Sequence, residues 1–270
     1  MSEARDGVAL ITGASAGLGE EFAAQLAQSG QAVLAVARRV DRLEALSARA
    51  RNQGWAPIHP LVLDITAENA GQTLKQRAAE LGGPSWLINN AGFGAYGPVE
   101  SQSGTLLASM VRLNCEAVVS ITSEILPLML TRRRGIIVNV ASVAGFQPTP
   151  YFAVYGATKA FMLSYSESLA EELRAQGITV TALCPGPVST EFQQVARKIH
   201  PGTEPSALSQ ARSMDAATCV RIALQAARRG QVIVVPGVKN RVLSWGSQLI
   251  PRGMVRRITA AMMKSSERGP

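Results

Sequence analysis

Cysteine and histidine are scarce in this chain of 270 residues, with three of the first and two of the second. Cys115, Cys184 and Cys219 have neither disulfide nor metal-ligand spacing, so reduced thiols in a cytosol are expected. His59 and His200 lie far apart in sequence and offer no metal site. The opening residues Met1 to Asp6 are charged and lack an apolar signal region, and no apolar run approaches about 18 residues. Export and membrane spanning are therefore not expected. No Pro/Gly/Ser-rich linker, internal repeat or low-complexity tract divides the chain. Acidic residues fail only at the end. Up to Ala227 there are 18 basic and 18 acidic side chains, whereas Arg228 to Pro270 holds 9 basic and 1 acidic, so the tail carries the whole net charge of +8. Trp245 is the one aromatic of that region, which has no recognition motif for nucleic acid, so nucleic acid is not expected as a partner.

What is present is a large apolar content, 47% of residues, enough for one sizeable core. Apolar β-rich runs alternate with helical patterns: Val8–Ile11, Ala32–Ala37, Ile58–Leu63, Trp86–Asn89, Ile136–Ala141, Ile178–Cys184 and Val232–Val235. Most lack polar alternation, as strands of a parallel sheet covered on both faces do. The expected fold is α/β, with seven strands in one domain and a helical extension at the C-terminus.

Two motifs carry chemistry. After the first strand comes Thr12-Gly13-Ala14-Ser15-Ala16-Gly17-Leu18-Gly19, then a helical run from Glu20 to Gln28. Strand, glycine-rich turn and helix make a dinucleotide fingerprint, in which glycines let the backbone approach a pyrophosphate at the helix N-terminus. The second motif is Tyr155 four residues before Lys159, with Ser142 thirteen residues upstream of the tyrosine. On a helix these two side chains share a face. A cation about 4 Å from a phenol is worth about 4 kcal/mol at an effective dielectric near 20, roughly three pKa units, which would bring tyrosine toward neutral pH. Such a group can give and take protons.

With these motifs the chain resembles the short-chain dehydrogenase/reductase family, in its single-domain branch. TGASAGLG matches the family's TGxxxGxG, Asn89-Asn90-Ala91-Gly92 its NNAG, and Ser142, Tyr155 and Lys159 its catalytic set. Asn114 stands at the fourth catalytic position, and Pro185-Gly186-Pro187-Val188-Ser189-Thr190 resembles the PGxVxT segment. The resemblance spans residues 6 to about 237. It implies a Rossmann-type, doubly wound parallel sheet with the cofactor at its switch point, and hydride transfer between a nicotinamide and a carbonyl or secondary alcohol. Tyr155 would be the proton donor or acceptor. Lys159 would tune it and bond the nicotinamide ribose, Ser142 would donate to the substrate oxygen, and Asn114 would anchor a water beside the lysine. The cofactor would rest on Gly13, Ser15, Gly17, Leu18, Gly19, Asn90, Ala91, Gly92, Pro185, Gly186, Val188 and Thr190, with Asp64 at the adenine.

In a dinucleotide fold an acidic residue at the end of the second strand grips the ribose 2′-hydroxyl. Here that position is Ala37, followed by Arg38 and Arg39, and an arginine there can hold a 2′-phosphate. NADP(H) is the expected cofactor, with Arg38 favoured over Arg39 as its phosphate contact.

The resemblance implies a substrate lid over residues 190–214, where Phe192, Val195, Ile199 and Leu208 alternate with Arg197, Lys198 and His200. A pocket wall of Phe93, Tyr96, Val143, Phe146 and Tyr151 suggests an apolar carbonyl or alcohol substrate. Residues 1–237 form the expected catalytic domain and 238–270 a basic amphipathic extension, with Met254, Val255, Ile258, Ala261 and Met262 at helical spacing. That helix has three readings: a cover for the core or a neighbouring subunit, a peripheral contact with anionic lipid, or a contact with an acyl carrier. Three functions stay open: a reductase of bulky ketones or aldehydes, a 3-oxoacyl thioester reductase, and a membrane-associated NADP-binding scaffold or sensor. A homodimer or homotetramer through helices near 104–133 and 151–176, in the cytoplasm, is what the resemblance implies for assembly.

Overall fold

In the computed structural model, which describes residues 6–192 and 213–263, seven short strands build one parallel sheet. They are β1 (Val8–Thr12), β2 (Val33–Ala37), β3 (Ile58–Val62), β4 (Pro84–Asn89), β5 (Gly135–Val140), β6 (Ile178–Leu183) and β7 (Ile233–Val234), in the spatial order β3-β2-β1-β4-β5-β6-β7. This is the doubly wound order that the family resemblance implied, and every strand read from the sequence is present within two residues of its expected bounds.

Among the described residues nine α-helices flank the sheet: α1 (Gly17–Gln28), α2 (Val40–Asn52), α3 (Ala70–Glu80), α4 (Gly104–Val111), α5 (Ala117–Arg132), α6 (Ala153–Leu173), α7 (Ala216–Arg228), α8 (Val238–Leu249) and α9 (Arg252–Met263). Successive strand residues point to opposite faces. Ile11, Val33 and Ile88 therefore pack with Phe22 of α1, Leu43 of α2 and Leu224 of α7. Leu10, Leu34 and Leu87 pack on the other face with Leu74 of α3, Ile125 of α5 and Leu173 of α6. Each such side chain, fully buried, contributes about 1.5–3 kcal/mol of transfer free energy. The helical stretch 104–132 is long and apolar enough to cross a membrane by length and composition, yet Ile121, Ile125 and Met129 on it are core residues packed on the sheet.

Pairing sets where the strands end. Ile11 is level with Ala35 on one side and Ile88 on the other, Asn89 with Asn139, and Val140 with Leu183. Connections leave to opposite faces on the two sides of β1, so a crevice opens beyond the C-terminal ends of β1 and β4. Thr12, Asn89 and Val140 stand at that edge and aim the segments that follow them.

A buried polar ladder holds the central strands to the helices. Asn89 Nδ2 donates to Asn139 Oδ1 (2.8 Å) and Thr122 Oγ1 (3.1 Å). Asn139 Nδ2 donates to Ser166 Oγ at 2.9 Å, and that hydroxyl donates to the Met162 carbonyl.

The C-terminal extension contains two helices rather than the single one expected around Met254 to Met262. Trp245 of α8 meets Phe146 edge-on at 6.0 Å, Gln248 donates to the Phe146 carbonyl at 2.6 Å, and the Asn240 amide lies against Gly186. The periodicity of α8 was hard to read because its inward positions include polar Ser244 and Asn240 while Val238 and Val242 face out.

Asn139→Ala should lower the unfolding free energy by about 1–3 kcal/mol, because Asn89 and Ser166 lose a buried partner. A denaturant midpoint unchanged from that of the parent would refute this role for the ladder.

Candidate active site

The glycine-rich turn follows β1 directly, and its backbone requires glycine. Gly13 (φ 69°) and Gly17 (φ 57°) occupy the left-handed region. A Cβ on Gly19 would strike the Gly13 carbonyl and the Asn90 amide, and one on Gly17 would come within 3.1 Å of Thr190. The NNAG segment is sewn to this turn. Asn90 Nδ2 donates to the carbonyls of Thr12 (2.9 Å) and Gly13 (3.3 Å), while Thr12 Oγ1 receives the backbone N–H groups of Asn90 and Ala91, each at 3.1 Å. The first turn of α1 begins at Ala16, whose side chain supplies no cap. Its orphan N–H groups, behind a turn whose glycines carry no side chains of their own, fit the pyrophosphate of a dinucleotide.

The two arginines after β2 part company. Arg39 turns to the cradle, with Nε 3.2 Å from Ser15 Oγ and Nη2 3.2 Å from the Ser15 carbonyl, while Nη1 pairs with Glu191 at 2.9 Å. Arg42 reaches the other oxygen of Glu191 at 3.5 Å. Arg38 points outward, its side chain 77% exposed, and meets Asp64 only at 3.8 Å. The sequence reading favoured Arg38, yet Arg39 is the one held on the glycine-rich turn. Asp64 is caught by the backbone and hydroxyl of Thr66, which with the Arg38 charge hold its carboxyl below the usual range.

On the other side of the crevice, Ser142 leaves β5 and caps a short 3-10 turn, Val143–Phe146, accepting from the Ala144 N–H at 3.2 Å. Its hydroxyl donates to the Pro185 carbonyl at 3.5 Å and stands near enough to the Tyr155 phenol to favour its charged form. Tyr155 stacks on Phe152 at 4.2 Å and meets Phe192 at 5.5 Å. Lys159 lies one turn on, 5% exposed, with Nζ donating to the Val140 carbonyl at 2.7 Å and standing 5.6 Å from the Tyr155 ring centre. Burial acts against both charged forms. It pushes the phenol up to about 12, opposed by the Ser142 hydroxyl, and the lysine down to about 8, opposed by the nearby Cys115 and Cys184 thiols. The cation was expected to draw Tyr155 toward neutral pH. Here desolvation wins, because the phenol is almost wholly enclosed and the ammonium is turned to a backbone carbonyl.

Asn114 sits in one π-helical turn, Arg112–Glu116, between α4 and α5, a break often found at functional sites. Its amide accepts from the Phe93 N–H (3.1 Å) and donates to the Phe93 carbonyl (2.9 Å) and Thr158 Oγ1 (3.0 Å). It thus clamps the strand that leaves NNAG beside Lys159. A Cβ on Gly92 would lie 3.7 Å from the lysine nitrogen, so the backbone of that segment passes close to the charge.

The predicted apolar wall divides. Phe93 and Tyr96 join Phe152, Tyr155 and Phe192, whereas Val143 and Phe146 pack with the cluster around Met162, away from the phenol. Tyr151 holds a left-handed backbone (φ 62°), and its carbonyl receives the Gly97 N–H at 2.7 Å, tying the 93–97 loop to the start of α6. Pro185 receives the N–H of Val143, Val188 bridges to Met214, and Ser189 Oγ lies 2.6 Å from Ser213 Oγ. Val195, Arg197, Lys198, Ile199, His200 and Leu208 of the expected lid lie outside the described residues. Sequence reading missed Thr12, Glu191, Arg42, Phe152 and Thr158. Phe152 and Thr158 could have been found from helical spacing around Tyr155, three residues before it and after it.

A parallel α/β sheet with a dinucleotide cradle at its switch point and a Ser–Tyr–Lys cluster opposite defines an oxidoreductase. The model of the short chain dehydrogenase family matches residues 7–200, and the chain belongs to that family, whose members use nicotinamide cofactors. An uncharacterized oxidoreductase of Myxococcus xanthus is 36% identical over 193 residues, 71% of this chain and 76% of that one. A very-long-chain 3-oxoacyl-CoA reductase of Podospora anserina is 36% identical over 194 residues, 70% of this chain but 57% of its own. Among solved structures, a short-chain dehydrogenase from Sphingobium yanoikuyae in complex with NADPH has a TM-score of 0.79 and 29% identity, covering 97% of this chain and 98% of that one. The bulky-bulky ketone specific alcohol dehydrogenase of Comamonas testosteroni has a TM-score of 0.76 and 28% identity, with 98% of both chains covered.

The depressed lysine has a measurable sign. Between about pH 8 and 10.5 the unfolded chain holds a proton on Lys159 that the folded chain has released, so this group makes stability rise with pH there. Denaturant unfolding from pH 8 to 10 should show that rise in the parent and a flatter curve in Lys159→Met. Parallel curves would show that the ammonium is not depressed by burial.

Proposed function

We propose that the protein is an NADPH-dependent reductase of an apolar ketone or aldehyde, with residues 1–237 as its catalytic part and 238–270 as an extension. The observation that carries this reading is the buried Ser142–Tyr155–Lys159 cluster, facing the glycine cradle and walled by Phe93, Tyr96, Phe152 and Phe192. When bound, the nicotinamide supplies the hydride. Tyr155 keeps its proton throughout the neutral range and releases it to the strong base that forms as a carbonyl oxygen gains charge. Ser142, beside that phenol, would donate to the same oxygen, and such a donor is worth most in a water-poor site. Lys159 stays cationic below about pH 8 and favours charge developing at the phenol oxygen. Asn114 positions the 92–93 backbone. A phenol whose burial disfavours the phenolate suits reduction better than alcohol oxidation, which needs a base at that point.

The preference for NADP(H) rests on Arg39 and Arg42. They already hold one anion, the Glu191 carboxylate, beside Ser15. A ribose 2′-phosphate would bind the same guanidinium groups in charge-assisted bonds, each worth about 1.5–3 kcal/mol. Arg38, with Asp64, would border the adenine. Gly13, Gly17, Leu18 and Gly19 would cradle the pyrophosphate, and Ala91, Gly92, Pro185, Gly186, Val188 and Thr190 would line the nicotinamide half. For assembly we favour a cytoplasmic homodimer or homotetramer through the exposed sides of α5 and α6, where Val119 and Phe161 are uncovered. A 3-oxoacyl thioester reductase is the second reading, favoured by the identity to the Podospora reductase. It would show itself as acyl-CoA reduction that weakens steeply with salt, unlike reduction of a neutral thioester.

Fluorescence titration should find NADPH bound at least about tenfold tighter than NADH. Arg39→Ala should erase that preference, with Arg38→Ala costing less. Glu191→Gln should tighten NADPH and leave NADH unchanged, since it removes the competing anion. Equal affinities in the parent would sink the assignment. Tyr155→Phe should cut turnover by about a hundredfold or more with NADPH affinity intact. Retained turnover would exclude Tyr155 as the proton donor.

A further inference from the structure

The outer surface of α8 and α9 has no use in the chemistry above. Among the described residues, sixteen large apolar side chains are exposed, and nine of them lie in the short stretch 238–262. On α9 the inward positions are Val255 and Thr259, one turn apart, while Met254, Ile258 and Met262 form a second apolar stripe left open at successive turns. On α8 the inward position is Ser244, and Val238, Val242 and Leu249 (75%, 65% and 88% exposed) project from the opposite side. The expectation that the terminal helix spends its apolar face on the core therefore holds only for Val255. Apolar side chains left open at successive turns of both helices mark a contact site.

Charge decides what covers it. Residues 238–263 include Lys239, Arg241, Arg252, Arg256 and Arg257 and no acidic residue. A second copy meeting the same surface about a two-fold axis would set cations against cations, with Glu167 of α6, in the cavity that Arg252 and Arg256 line, as the nearby carboxylate. An anionic bilayer presents the complementary charge and accepts the apolar stripes below its headgroups. Each helix has 12 residues, too few for the roughly 20 needed to span, so both would lie in the interface plane. From this arrangement we infer that α8 and α9 form a peripheral docking surface for membranes rich in anionic phospholipid, independent of which substrate or cofactor the active site takes.

The test is co-sedimentation of the full-length protein with vesicles of phosphatidylcholine alone and of phosphatidylcholine with phosphatidylglycerol. Binding is expected to the mixed vesicles and not to the neutral ones, and to fall as salt rises. Arg257→Glu should weaken it by about fivefold or more. The triple change Met254→Ser, Ile258→Ser, Met262→Ser should weaken it at least about tenfold. These three side chains are exposed, and an unchanged thermal midpoint would show that the fold survives. Absence of binding to mixed vesicles overturns the proposal. So does a dimer in sedimentation equilibrium that the triple change dissociates, which would give the surface to a second copy. Binding to both vesicle types alike, insensitive to salt, would also overturn it, since charge would then play no part.

Discussion

Enclosing a lysine ammonium and a tyrosine phenol in one desolvated corner is the constraint around which the site is built. An ion taken out of water costs several kcal/mol unless partners offset it. Lys159 has a single backbone carbonyl at 2.7 Å, from the last residue of β5, and its proton affinity falls accordingly. That carbonyl is available because β5 ends one residue before its chain turns toward Ser142. The strand end therefore serves both groups: it holds the cation and delivers the Ser142 hydroxyl to the neighbourhood of the phenol. Asn114, set in a π-helical turn, fixes the 92–93 backbone on the remaining side.

The parallel sheet makes that corner possible. Its strands finish level, so segments distant in sequence converge at one edge: the glycine turn after β1, NNAG after β4, Ser142 after β5 and Pro185 after β6. Thr12 and Asn90 lock the first two together through hydrogen bonds to backbone groups, so the cradle is fixed by local bonds rather than by a ligand. Glu191 closes the far side by pairing with Arg39 and Arg42. An ion pair between groups this exposed is worth little in itself. Its interest lies in where it sits, on the same guanidinium groups that a phosphate would seek.

Much of this was legible in the sequence for identifiable reasons. Unbroken runs such as Val33–Ala37 read as strands because both faces of the sheet are covered, and Tyr155 and Lys159 share a helix face because four residues make about one turn. Three things were not legible. Which of Arg38 and Arg39 turns inward depends on side-chain direction at the end of β2, not on residue type. The sign of the Tyr155 shift depends on enclosure by Phe152 and Phe192, which no spacing rule reports. The helix α8 was hidden because its apolar residues face outward, the reverse of the pattern that betrays a core helix.

In the chemistry proposed for this site, the buried Lys159 sets the pH range in which Tyr155 can deliver a proton to a carbonyl. The most direct measurement is kcat/KM for NADPH-dependent reduction of an apolar ketone, followed from about pH 6 to pH 10.5. A plateau at low pH is expected, then a fall centred near pH 8, where the depressed lysine loses its charge. A profile that stays flat through pH 8 and falls only near the ordinary lysine value of 10.5 would contradict it.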